Sequence, residues 1–223
     1  MTAFPFSIVG FDLDGTLLDT HVDLGMALNH ALALAERPAV PVARVRDLIG
    51  GGAKVMLQRA LDDNGGAVSD ARLSELHREL IAYYRENISV HSCEFPGGPA
   101  MLDALEARGV RLAVVTNKLE SLAVKLLDEV GLTGRLGTIL GGDTLGPGRA
   151  KPAPDLLLAM RERLGGGAAA FVGDSTFDVR AARAAGFPCV AVSFGFTDVP
   201  VDQLGADAVI DHYDELIPTL ERL

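Results

Sequence analysis

From Phe95 to the C-terminus the chain alternates helical stretches with short, continuous apolar runs, and few architectures accept that rhythm. Helical spacing over Pro99–Arg108 leads to "RLAVVT", Ser121–Val130 leads to "LGTILGG", Ala153–Leu164 to "AAAFVGD", and Thr176–Ala185 to "PCVAVSFG". Runs that are apolar on both sides are strands buried on both faces, the condition of a parallel sheet covered by helices. Parallel neighbours need right-handed crossovers, so each run and its helix form a βαβ unit. A first apolar run, Phe6–Phe11, opens the chain, and "DAVI" with a helix over Tyr213–Leu223 closes it. Between Thr20 and Glu86 the pattern changes. "DLGMALNHALALAE", "VARVRDLI", "AKVMLQRAL" and "ARLSELHRELIAYYRE" all repeat at helical spacing, with "DDNGG" as the only strong breaker. The fold expected is α/β: a doubly wound parallel sheet formed by residues 1–19 and 95–223, carrying an α-helical insertion over 20–94.

Composition excludes several classes of function. The 223 residues are 48% hydrophobic and 22% charged, enough apolar material for a substantial core. The net charge of -10 presents a repulsive average field to a polyanion, so nucleic acid is not an expected partner. A small anionic ligand must be held by local positive groups. No apolar stretch approaches the ~18 residues that span a bilayer, so no membrane association is expected. "MTAFPFSIVGFD" lacks a basic n-region, and Cys93 and Cys189 form neither a disulfide framework nor a C-x-x-C pair. A cytoplasmic protein is expected, and no protein partner is implied.

In a doubly wound sheet, ligands bind beyond the carboxyl ends of the strands. Asp12 and Asp14 follow the first apolar run, Thr116, Asn117 and Lys118 follow "RLAVV", Lys151 precedes the next helix, and Asp174 and Asp178 follow "AAAFVG". These are oxygen donors, hydroxyls and ammonium groups, with no Cys or His among them. Carboxylates bind Mg²⁺, a lysine neutralises phosphate oxygens, and a carboxylate serves as nucleophile in phosphoryl transfer. Each residue also has a plainer reading: Asp12 and Asp14 as turn caps, Thr116 as a strand end, Lys151 as a surface lysine, Asp174 as a helix N-cap. Their conjunction at successive strand ends favours the functional reading. A Ca²⁺ loop is excluded by spacing, since Thr16 and Leu17 stand where Asp and Gly would be required.

Four of these segments, "FDLDGTLLD", "VVTN", "AKPAP" and "VGDSTFDV", resemble in order the four motifs of the haloacid dehalogenase superfamily, and the likeness runs nearly end to end. The insertion then resembles the helical cap that closes over small substrates in that superfamily. The resemblance implies Asp12 as the nucleophile and Asp14 as general acid and then base. It implies Mg²⁺ held by Asp12, the Asp14 carbonyl and Asp174, with Asp178 orienting Lys151 or acting through water. Thr116, Asn117 and Lys151 would hold the phosphoryl oxygens. Within the superfamily the chain is most similar to the phosphoglycolate phosphatases, through "DTHVDLGMALNHAL", the Gly50–Ala53 run of "LIGGGAKVMLQRAL", "FPGG" and "RLAVVTNK". The implied activity is Mg²⁺-dependent hydrolysis of a small phosphorylated metabolite, first 2-phosphoglycolate, through an aspartyl phosphate on Asp12. Substrate choice would sit in the cap, at Gly51, Gly52 and Lys54.

Other readings remain beside this one. Phosphatases of sugar phosphates, nucleotides or pyrophosphate share every core motif. A phosphonate hydrolase would use Lys54 as a Schiff-base amine, but that chemistry and 2-haloacid dehalogenation both dispense with the aspartate at Asp14. A sugar-phosphate mutase would carry an arginine that "GGGAK" lacks. A non-catalytic binding protein would be expected to have lost the nucleophile. Lys54 reads first as a helix-surface lysine, and His21 as a helix-start residue.

Overall fold

The computed structural model describes residues 4–223. Its centre is a six-stranded, all-parallel sheet. In spatial order it runs β5 (Leu136–Leu140), β4 (Arg111–Val115), β1 (Ile8–Phe11), β6 (Ala169–Gly173), β7 (Cys189–Val192) and β8 (Ala208–Ile210). The order places β1 between β4 and β6, so the loops leaving those three strands adjoin. β1 begins at Ile8, two residues later than the apolar run suggests.

Period-two alternation along the strands divides the core into two layers. Val9, Phe11, Leu112, Val114, Val172 and Val190 point to one face, where they meet α5 (Gly98–Glu106), α6 (Glu120–Glu129) and α9 (Leu216–Leu220). Ile8, Ala113, Val115, Phe171 and Cys189 point to the other, against α7 (Asp155–Arg163) and α8 (Thr176–Ala185). Both faces are covered, which is why these strands read as unbroken apolar runs. The C-terminal helix is shorter than its periodicity suggests. A single tight turn over Tyr213–Glu215 precedes α9, inside which Pro218 supplies no amide hydrogen.

The helical segment consists of α1 (His21–Leu34), the short α2 (Val42–Val45), α3 (Ala53–Asp63) and α4 (Asp70–Glu86). Its apolar residues, among them Leu24, Leu28, Leu57, Leu76 and Leu80, belong to the same cluster as the α5–α6 face of the sheet. A two-stranded antiparallel ribbon, β2 (Leu18–Asp19) with β3 (Cys93–Glu94), stands at the two crossings between this segment and the sheet. Two residues per strand are too few for periodicity to reveal. No described helix is long and apolar enough to cross a membrane.

Asp23, in the first turn of α1, is buried and locks the ribbon's two sides together. Its Oδ2 accepts from the Ser92 amide (2.8 Å), the Ser92 hydroxyl (2.7 Å) and the His91 amide (3.0 Å). Removing that acceptor takes it from three donors at a half-buried site, where the Ser92 hydroxyl would keep only the Ile88 carbonyl at 3.3 Å. Asp23→Ala should therefore lower the unfolding free energy by about 2–3 kcal/mol. Urea denaturation measures this, and a change below about 0.5 kcal/mol would show the contact to be dispensable.

Candidate active site

The chain leaves β1 into a turn that carries Asp12 and Asp14. Asp12 is held by its amide, which donates to the Val172 carbonyl at 2.9 Å, so the start of this turn is anchored to β6. Gly15 follows with φ +82°. A Cβ there would lie 2.1 Å from Asp174 Oδ2 and 2.8 Å from the Phe196 ring, so the turn needs glycine for both conformation and space. Leu18 then returns its amide to the Leu13 carbonyl at 2.9 Å, and the Tyr213 hydroxyl donates to the Thr16 carbonyl at 2.6 Å.

Asp12, Asp174 and Asp178 bring buried carboxylate oxygens within 4.8 Å of one another. Lys151 offsets part of that repulsion. Its buried Nζ lies 2.7 Å from Asp12 Oδ1 and 2.6 Å from Asp178 Oδ1. Burial opposes the lysine's charge, but the Asp12 and Asp178 carboxylates outweigh it and hold the ammonium above its ordinary value. Asn117 supports the arrangement: its Nδ2 donates to the Lys151 carbonyl at 3.0 Å, so its side chain is turned to the lysine's own backbone. Thr116, at the end of β4, is buried, and its hydroxyl accepts from the Lys118 amide at 3.2 Å.

The three carboxylates are not equivalent. Asp178 is saturated: Oδ2 accepts from the amides of Asp174 (3.2 Å) and Ser175 (3.0 Å) and from the Ser175 hydroxyl (2.6 Å), while Oδ1 takes Lys151. It closes the capping box of α8 and orients the lysine. Asp174 uses one oxygen, Oδ2, which accepts from the Phe196 amide at 2.6 Å. Burial lifts its carboxyl well above the usual range, and the neighbouring Asp178 and Asp12 carboxylates push the same way. Asp12 Oδ1 is buried and, despite the nearby ammonium, receives no directed hydrogen bond. Burial raises the Asp12 carboxyl to about 6, with Lys151 pulling it down and Asp178 pushing it up. A buried carboxylate whose Oδ1 is met only by the Lys151 ammonium, an adjacent carboxylate with an oxygen to spare and an all-oxygen donor set fit a hard divalent cation such as Mg²⁺. Asp12 and Asp174 are the side chains that fit it.

A second ion pair lies beside the first. Lys118 is buried, with Nζ 2.8 Å from Asp14 Oδ1 and 3.1 Å from the hydroxyl of Tyr84 on α4. The Thr20 hydroxyl donates to the same Asp14 oxygen at 2.7 Å. Burial opposes the charge on Lys118, and Asp14 and Tyr84 outweigh it, so this ammonium is also held above its ordinary value.

Asp12, Asp14, Asp174 and both lysines, with Thr116, Asn117 and Tyr84, line a cavity of about 390 Å³ between the sheet edge and the helical segment. Gly50–Gly51–Gly52 forms one wall with φ of +116°, +74° and +92°. A Cβ on Gly51 would stand 3.2 Å from the Phe177 ring, and one on Gly52 would stand 3.3 Å from the Asn117 carbonyl, so this loop presses against the sheet domain's own loops. Gly52 precedes α3 without a side-chain cap, and Lys54, exposed, lines the cavity from that helix's first turn. His77 of α4 also lines it, its imidazole lowered by burial and by the Lys54 ammonium. His21 instead contacts Asp19, Nδ1 to Oδ1 2.5 Å, at the start of α1.

The structure thus brings Asp12, Asp14, Thr116, Asn117, Lys151 and Asp174 to one cavity, with Gly51, Gly52 and Lys54 on its opposite wall and Asp178 directly behind Lys151. Sequence reasoning placed Lys118 among the strand-end residues but gave it no role, and it passed over three aromatic contributors. Tyr84, Phe177 and Phe196 carry no local signal, because aromatic residues at helical or strand spacing read equally well as core.

Comparison with known proteins agrees with this geometry. The family model for haloacid dehalogenase-like hydrolases matches residues 6–186. The phosphoglycolate phosphatase of Agrobacterium fabrum is 41% identical over 99% of this chain and 95% of its own length, and that of Mesorhizobium japonicum 40% over 97% and 96%. A crystal structure described as a predicted phosphoglycolate phosphatase from Haemophilus somnus 129pt superposes with a TM-score of 0.89, at 32% identity, over 98% of this chain and 99% of that one. Motif, carboxylate geometry and full-length similarity coincide, and the chain belongs to the haloacid dehalogenase-like hydrolases.

Proposed function

We propose that this hydrolase is a Mg²⁺-dependent phosphatase of small phosphomonoesters, with 2-phosphoglycolate as the first substrate, giving glycolate and inorganic phosphate. The observation that carries the reading is Asp12 itself: a buried carboxylate at the cavity floor with an oxygen lacking a directed bond, beside Lys151 and Asp174. The relatives named phosphoglycolate phosphatase support the substrate, and a cavity of about 390 Å³ suits a compact one. We read residues 20–94 as a cap over the core formed by 1–19 and 95–223, with Gly51, Gly52 and Lys54 meeting the part of the substrate that leaves.

In this reading a carboxylate oxygen of Asp12 attacks phosphorus, the new P–O bond forming as the ester P–O bond breaks. The Asp14 proton goes to the departing alkoxide, releasing glycolate. Water then attacks the phosphorus of the aspartyl phosphate while Asp14 takes its proton, and the bond to Asp12 breaks to free phosphate. Lys151 and the Thr116 hydroxyl hold the equatorial oxygens, where catalysis is mainly positioning and charge neutralisation. Asp178 keeps Lys151 in place, and Asn117 keeps its backbone in place. A bound Mg²⁺, held by Asp12, Asp174 and the Asp14 carbonyl, would supply positive charge against the phosphoryl oxygens. With its carboxyl near 6, Asp12 is largely ionised at neutral pH and ready to attack.

Phosphate release from 2-phosphoglycolate and a panel of other esters, with Mg²⁺ and with chelator, tests the reading. Asp12→Asn should lose at least about 10³-fold in turnover while melting within a few degrees of the parent. Equal turnover by parent and mutant would refute the nucleophile. Turnover of other esters alone would keep the chemistry and change the substrate.

The titration of Asp12 yields a second test, independent of turnover. Its folded-state carboxyl, about 6, lies above its ordinary value of 3.8, so the folded protein holds that proton to higher pH than the unfolded chain. The associated stability is full below the ordinary value and is lost as pH rises through about 6. A cation bound between Asp12 and Asp174 offsets the charge that appears there. Mg²⁺ should therefore raise Tm by about 3 °C or more near pH 7.5 and scarcely at about pH 5, and Asp174→Asn should remove the shift. A shift of equal size at both pH values, measured by scanning fluorimetry, would contradict this site.

A further inference from the structure

Tyr84 and Lys118 are buried polar groups to which the chemistry above assigns no task. We infer that Lys118 is a positioning residue for proton transfer by Asp14, and that Tyr84, reaching across from the helical segment, fixes Lys118 in turn; the inference rests on the phosphatase reading and extends it. Lys118 Nζ donates to Asp14 Oδ1 at 2.8 Å, and the Thr20 hydroxyl donates to that same oxygen at 2.7 Å. Oδ1 is therefore occupied on two sides. Oδ2 is the oxygen left to carry the proton that passes to the departing alkoxide, and to receive the one that comes from water. A carboxyl free to rotate would present either oxygen, whereas two charge- and hydroxyl-donated bonds to one oxygen select a single orientation.

Lys118 does not reach this position from its own loop alone. Its ammonium also donates to the Tyr84 hydroxyl at 3.1 Å and lies 4.6 Å from the centroid of that ring. Tyr84 is on α4, Thr20 adjoins the first residue of α1, and Asp14 and Lys118 belong to the sheet's loops. The orientation of the proton donor thus depends on residues from both sides of the cavity. A lysine serving only as the counterion of the half-buried Asp14 carboxylate would need neither the phenol nor the shared oxygen.

The test compares two substrates that differ in their need for a proton. 2-Phosphoglycolate releases an alkoxide that must be protonated, while p-nitrophenyl phosphate releases a stabilised phenolate that need not be. The readout is kcat/KM, which reports phosphoryl transfer to Asp12 ahead of the hydrolysis step common to both esters. Lys118→Met should lower kcat/KM for 2-phosphoglycolate about tenfold to a hundredfold, and Tyr84→Phe about threefold to tenfold, with less than about a threefold loss on p-nitrophenyl phosphate in either variant. Tyr84→Phe keeps the ring and deletes only the hydroxyl, so it decides the question if Lys118→Met does not fold. Equal losses on the two esters, or no loss on 2-phosphoglycolate, would overturn the inference. A parent protein that turned over neither ester would overturn the phosphatase reading and this inference together, and the parent's own rates distinguish that outcome from a failure of the inference alone.

Discussion

The structure is organised around one electrostatic problem: buried carboxylates gathered where β1 and β6 run out, with oxygens of Asp12, Asp174 and Asp178 within 4.8 Å. Like charges at that distance in a dry site destabilise the folded state unless something offsets them. Lys151 does so for Asp12 and Asp178, and the surrounding loops are shaped to keep it there. Asn117 holds its carbonyl, the α8 capping box holds Asp178, and the Phe196 amide holds Asp174. Gly15 is required because the turn after β1 passes too close to Asp174 for any side chain. The positive charge present is still less than the negative charge, and that residual fits a divalent cation, whose charge a phosphoryl group would need there.

Each aspartate of the first motif has its own lysine. Lys151 serves Asp12 and lies within the sheet's own loops, whereas Lys118 serves Asp14 and depends on Tyr84 from the helical segment. Under the proposed chemistry the nucleophile would be positioned by the sheet's loops alone, and the proton donor by those loops and the helical segment together. That division would suit the proposal, since attack on phosphorus is common to every phosphate ester while protonation concerns the part of the substrate that differs. The same segment carries the Gly50–Gly52 wall and is tied to the sheet through the β2–β3 ribbon and Asp23.

The amino-acid sequence by itself determined the fold class and the sheet edge at which the candidate residues gather. Strands buried on both faces must be continuously apolar, helices that cover them must be amphipathic, and the alternation of the two is local information that survives in one dimension. The carboxylates and Lys151 were legible because the topology of a doubly wound sheet sends successive strand ends to a single edge. Only the tertiary structure decided how those residues share the work. It set Asp178 apart as a saturated support, left Asp12 with an undirected oxygen, turned the Asn117 side chain toward Lys151, and paired Lys118 with Asp14 across 104 positions of chain. The β2–β3 ribbon and the aromatic residues of the cavity were decided there too. Those features depend on which groups meet after the chain has folded, and contacts between distant residues leave no periodicity for a sequence to display.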